Sequence, residues 1–123
     1  MRKLFIESRE FTAWVRRFVD DATYAVFQQQ LMERPDAGVV IPGSGGLRKV
    51  RIADPRRQKG KRGGARVIYL HMPEVDWIFL VDIYSKDEQD DLSASEKKVL
   101  RQLAHDFKKQ AIQKTAASRI DSL

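Results

Sequence analysis

The chain of 123 residues contains no cysteine, which excludes disulfides, thiolate catalysis and cysteine-ligated zinc and fits a reducing compartment. Long apolar runs are missing too. The longest, Trp77 to Val81, falls far short of the roughly 20 residues that span a bilayer, and the opening MRKLFIESRE lacks the apolar core of a signal peptide. A cytoplasmic domain with no membrane partner is therefore expected. Histidine is scarce: His71 falls towards the end of an apolar alternating run and His105 beside the polar face of a helical one. Lone histidines readily occupy such ordinary surface or core-edge positions. Acid is scarce in one particular place. Between Arg48 and Arg66 stand nine cations, Arg48, Lys49, Arg51, Arg56, Arg57, Lys59, Lys61, Arg62 and Arg66, against the single acid Asp54.

What is present describes a folded chain, with hydrophobic residues at 42% and charged residues at 33%. The length suits one domain with its own core, expected over residues 1–113, with 114–123 as a flexible C-terminal tail. Net charge is +6, and about two-fifths of the Lys and Arg lie in the segment just named. Crowded like charges repel, and a stripe this one-sided is the footprint of a polyanion, most commonly nucleic acid. The alternative is a charged loop that is merely solvated.

The periodicity predicts a small α+β domain. KLFIE at 3–7 reads as a strand, and Ser8 as the N-cap of a helix carrying Phe11, Trp14, Val15 and Phe18. A second helix starts at Asp20 or Asp21, carries Tyr24, Phe27 and Leu31, and stops before Pro35. The glycines of VIPGSGGLRKVRI make a turn into a strand at about 46–52. They are not a phosphate loop, because the Walker pattern opens a helix after Gly-Lys-Ser/Thr. Strands follow at 65–72 and 76–84, joined by PEVD, and the capping box Ser93-Ala-Ser-Glu96 announces a last helix with the stripe Leu100, Leu103, Ala104, Phe107, Ala111. The expected fold is a small antiparallel-type β-sheet with two N-terminal helices and a C-terminal helix packed on it.

Alternation along strands assigns faces. Val50 and Ile52 point one way, Lys49 and Arg51 the other. One face is expected to bury apolar residues against the helices, and the other to gather Lys49, Arg51, Arg66, Tyr84 and Lys86: an anion site with a phenol in it. The alternative is a set of snorkelling cations with wet heads.

The order GGLRKVRI, GKRGGARVIY, then IYSKDEQDDLS before an amphipathic helix resembles the RelE superfamily of bacterial type II toxins, above all its HigB-type branch, over about Leu4 to Phe107. The resemblance implies an mRNA endonuclease that cuts the message in the ribosomal A site and is silenced by a cognate antitoxin, often a helix-turn-helix protein of HigA type. It implies no cofactor and no metal. RNA carries its own nucleophile in the 2′-hydroxyl, so cleavage to a 2′,3′-cyclic phosphate needs in-line geometry, a base, an acid and positive charge at the phosphorane.

Carried over residue by residue, the resemblance puts Lys49 as base or orienter of the 2′-hydroxyl, Arg51 beside it, and Arg66 as clamp on the scissile phosphate. Lys86 stands where RelE itself has an arginine, a point charge in place of a fork. The base-stacking tyrosine would fall near Leu92, and Tyr84 is the nearest ring. Arg48, Arg56, Arg57, Lys59, Lys61 and Arg62 are expected to grip RNA or ribosomal phosphates. Two other readings share parts of this pattern: a ParE-like gyrase inhibitor without RNase activity, and a non-catalytic RNA-binding module. The antitoxin is expected to dock on the aromatic-rich helices at 9–34, whose first carries Phe11, Trp14, Val15 and Phe18; the alternative is an acidic segment laid over the basic face itself.

Overall fold

The structure, a computed structural model, describes residues 3–53, 64–85 and 92–121, with side chains as far as Thr115. In chain order it runs β1 (Leu4–Glu7), α1 (Arg9–Phe18), α2 (Asp21–Glu33), β2 (Val39–Val40), β3 (Arg48–Ile52), β4 (Ala65–Met72), β5 (Trp77–Ser85) and α3 (Ala94–Asp121). Each helix begins where a side chain satisfies an otherwise orphaned backbone donor. Ser8 Oγ accepts from Phe11 N at 3.0 Å, and Asp20 Oδ1 accepts from Thr23 N at 2.8 Å. Ser93 Oγ accepts from Glu96 N at 3.1 Å while Glu96 Oε1 accepts from Ser93 N at 3.0 Å, the reciprocal pair of a capping box.

The five strands form one sheet in the order β1-β5-β4-β3-β2. Three of its junctions are antiparallel and the fourth, β1 with β5, is parallel, so the sheet is mixed. Parallel pairing requires a crossover, and the chain makes it by leaving β1 directly into α1 and α2. The glycine turn before β3 is built from left-handed residues, Gly43 at φ 73°, Gly45 at 79° and Gly46 at 102°. Between them the buried Ser44 donates to Ile41 O at 2.6 Å and accepts from Leu47 N at 3.1 Å, and Lys108 Nζ of α3 holds Gly45 O at 2.8 Å.

Both faces of the sheet are covered, and this corrects the expectation of one helical and one open face. Phe11, Val15, Phe27 and Leu31 of α1 and α2 pack on Ile52, Val67, Tyr69, Ile78, Leu80 and Ile83. On the other side Leu100, Ala104, Phe107 and Ala111 of α3 pack on Leu47, Ile68, Leu70, Phe79 and Val81, with Phe79 and Phe107 stacked at 3.8 Å between ring centroids. Helix α3 also outruns the sequence reading. Its backbone stays helical to Asp121, through most of the segment expected as a loose tail. Leu103, placed by periodicity in the α3 stripe, is 40% exposed. On α1, Phe11 and Val15 are core, and only Trp14 is left well exposed, with the Arg17 guanidinium 4.5 Å from its ring centroid. The surplus apolar surface expected there for an antitoxin therefore reduces to one ring. Among the described residues no helix is long and apolar enough to cross a membrane.

One irregularity sets which side chains of β5 share a face with Lys49, Arg51 and Arg66. Along β5, Asp82 is opposite Ile68 and Leu80 opposite Tyr69, so Val81 has no partner: a β-bulge. Ile78 and Leu80 face α1 and α2, whereas after the extra residue it is Ile83 that faces them and Asp82 and Tyr84 that turn to the α3 side. Without the bulge, strict alternation from Leu80 would send Asp82 and Tyr84 to the opposite face.

The loop between α2 and β2 is tied by the fully buried Tyr69, whose hydroxyl accepts from Gly38 N at 2.9 Å and donates to Pro35 O at 2.8 Å. Removing that oxygen orphans a buried donor. Tyr69→Phe is expected to destabilise the fold by about 1–3 kcal/mol in urea titration, far more than an exposed tyrosine would.

Candidate active site

Among the described residues, strand register brings the candidate side chains together. Arg51 on β3 is the cross-strand partner of Arg66 on β4, and Arg66 is the partner of Tyr84 on β5. Direct partners share a face with Cβ atoms about 4.5–5.5 Å apart, so the three side chains form one row across the sheet. A second row beside it runs Lys49, Ile68, Asp82. Lys49 is thus the diagonal neighbour of Arg66, about 7–8 Å away between backbones. Exposure grades across the first row. Arg51 is exposed, Arg66 half-buried and Tyr84 only 7% exposed.

The row holds like charges at close range. Burial pushes the Arg66 guanidinium below the usual arginine value, and the neighbouring charge of Arg51 pushes the same way, while Tyr84 acts in the opposite sense. Both leading causes penalise the cation, which stays charged because the ordinary value is so high. Arg66 Nη1 is buried with no hydrogen-bond partner among the described residues. A buried donor left unmade is unfavourable, and an anion seated against the row would satisfy it and offset the repulsion.

The remaining expected residues separate into groups. Lys49, Arg51, Arg66 and Tyr84 are brought to one face, whereas Arg48 lies on the other. Its Nη1 donates to Gly38 O at 2.8 Å and to Asp36 O at 3.3 Å, and its Nη2 lies 3.6 Å from Asp36 Oδ1, so it braces the same loop as Tyr69. Arg56, Arg57, Lys59, Lys61, Arg62 and Lys86 lie outside the described residues. His71 is held on the α1–α2 side, Nδ1 at 3.0 Å from Asp36 Oδ1 and Nε2 at 3.4 Å from Lys3 Nζ, away from the arginine row. His105 is exposed on α3.

The family model for the RelE toxin of the RelE/RelB toxin–antitoxin system matches residues 7–121. The chain belongs to the RelE toxin family. It is a toxin of a toxin–antitoxin system, with an antitoxin as its partner. Among solved structures, a mutant of E. coli toxin RelE in the free state is similar with a TM-score of 0.48 at 14% identity, over 73% of this chain and 90% of that one.

Asp82 is a residue of this candidate site that sequence reasoning passed over. It stands next to the arginine row on the same face, half-buried, with Oδ1 accepting from Ile83 N at 2.9 Å. Burial raises its carboxyl above the ordinary carboxylate range, partly relieved by the Ile83 amide, and the charges of Glu10 and Glu96 add to the rise. Its alternation with Tyr84 was visible in the sequence, but the bulge that places it beside Ile68 was not.

If the arginine row is an anion seat, inorganic phosphate should stabilise the toxin by mass action. At ten times its dissociation constant it adds about 1.4 kcal/mol, a rise in Tm of roughly 5 °C over chloride of equal ionic strength. Arg66→Gln should abolish the rise in a thermal-shift titration.

Proposed function

We propose that this toxin is a ribosome-dependent mRNA endonuclease that cuts the message in the A site by metal-independent transfer to the RNA 2′-hydroxyl. The observation carrying this reading is the row of Arg51, Arg66 and Tyr84 with a buried Arg66 donor directed at no partner among the described residues. Arg66 takes the scissile phosphate, with Arg51 beside it adding charge where the phosphorane becomes most negative. Lys49, a diagonal step away, orients the 2′-hydroxyl and accepts its proton as the oxygen attacks phosphorus. The bond to the 5′-oxygen breaks, a proton goes to that oxygen, and a 2′,3′-cyclic phosphate and a free 5′-hydroxyl remain. Lys86, next in sequence after β5, is assigned to the same phosphate.

The ribosome supplies what the site lacks. Single-stranded RNA is floppy, and in-line attack requires a fixed message. A decoding centre that holds the codon would convert weak local binding into an aligned reaction. The antitoxin, of the helix-turn-helix HigA type in this reading, silences the toxin by preventing that encounter.

Cutting is expected to persist in EDTA when polyamines keep ribosomes intact, and to vanish when ribosomes are omitted. Arg66→Ala should lower the single-turnover rate about 10²–10³-fold, by analogy with loss of one oxyanion donor, with the far-UV spectrum unchanged. Loss of cutting on chelation, or arrest of DNA replication rather than translation on induction, would count against the nuclease.

A further inference from the structure

Beside the arginine row lies a cavity of about 340 Å³ walled by Asp82, Leu92, Ser95, Glu96, Val99 and Leu100, between β5 and the first turns of α3. Its volume is at the low end of ligand pockets, about 300–1,000 Å³. Its chemistry is opposite to that of the row, with two carboxyl groups and a hydroxyl among apolar walls. Asp82 is half-buried here, and among the described residues no cation pairs with it, although Lys49 lies in the same cross-strand row. Among the described residues the carboxylate thus neutralises none of the cations. Resting on the nuclease reading above, we propose that this cavity seats one RNA base flanking the scissile phosphate, and that Asp82 selects guanine.

Charge sorts the parts of a nucleotide between the two sites. The acidic cavity repels phosphate and the cationic row attracts it, and Asp82 and Tyr84 are two residues apart on β5, about 7 Å. That separation lies within one nucleotide's reach. Leu92, Val99 and Leu100 offer apolar contact to the ring, and RNA bases outside a duplex expose their Watson–Crick edges. An ionised carboxylate only accepts hydrogen bonds. Guanine alone presents two adjacent donors on that edge, N1–H and N2–H, which match the two carboxylate oxygens. Adenine and cytosine place an acceptor beside their amino group, and uracil flanks its one donor with acceptors.

The test is an NMR titration of the full-length chain with five-residue RNAs differing at a single position, 2′-O-methylated throughout to prevent cleavage. The guanine oligonucleotide should bind tightest and shift the amides of Asp82 and Ser95–Leu100. Asp82→Asn should remove its advantage, about tenfold to a hundredfold, and leave the other three oligonucleotides unchanged. Equal affinity for all four bases, shifts confined to other segments, or a guanine preference that survives in Asp82→Asn would overturn the proposal. Free GMP binding as tightly as the oligonucleotide would overturn it as an RNA site. Guanine selectivity in a protein that never cuts ribosome-bound message would refute the nuclease reading and leave the base pocket standing.

Discussion

Arg51 and Arg66 face each other in the β3–β4 ladder, and the sheet must hold together two cations that would separate in a free chain. Five consecutive residue pairs join β3 to β4 and eight join β4 to β5, so Arg66 is held by ladders on both sides and Arg51 by the β3–β4 ladder. The rest of the molecule supports that restraint. β4 and β5 are buried along most of their length, with α1 and α2 on one face and α3 on the other. In the proposed nuclease such a row would be pre-organised, since the charge is in place before RNA arrives and little need be reorganised when negative charge develops. Its electrostatic strain is offset by apolar burial elsewhere in the same strands.

The bulge at Val81 is the second device on which the site depends. It lets one strand serve two cores, with Ile78 and Leu80 against α1 and α2 and then Ile83 after the slip, while Asp82 and Tyr84 turn to the arginines. The hydroxyl of Ser8, at the start of α1, donates to Val81 O, so the cap of the first helix is fastened to the bulge itself. Acid and phenol are thereby delivered to the cationic face by a shift of one residue.

Local chemistry made much of this legible. Ser8, Asp20 and the Ser93–Glu96 box each mark a helix start in the sequence, and each does so in the structure, because capping is decided within three residues. Alternation in β3 and β4 gave the shared face of Lys49, Arg51 and Arg66 for the same reason. Features set by distant partners were not legible. The parallel pairing of β1 depends on where the α1–α2 crossover returns the chain. The bulge depends on how β5 registers against β4, and nothing in WIFLVDIYS announces it. Arg48 reads in sequence as one more phosphate-gripping cation, and only the fold shows it braced on Asp36 and Gly38 across the sheet from Lys49. The reach of α3 was underestimated because its last turns lose the apolar stripe while the backbone remains helical.

The proposed reaction takes its nucleophile from the RNA, rather than from the protein or a metal, at the arginine row. Its most direct test is single-turnover cleavage of a ribosome-bound message in which one nucleotide, at the mapped cut, carries 2′-deoxyribose. Cutting at that bond is expected to cease while the toxin still binds the programmed ribosome, and the unmodified message is expected to end in a 2′,3′-cyclic phosphate. Cleavage of the 2′-deoxy message at the same bond and rate would contradict it.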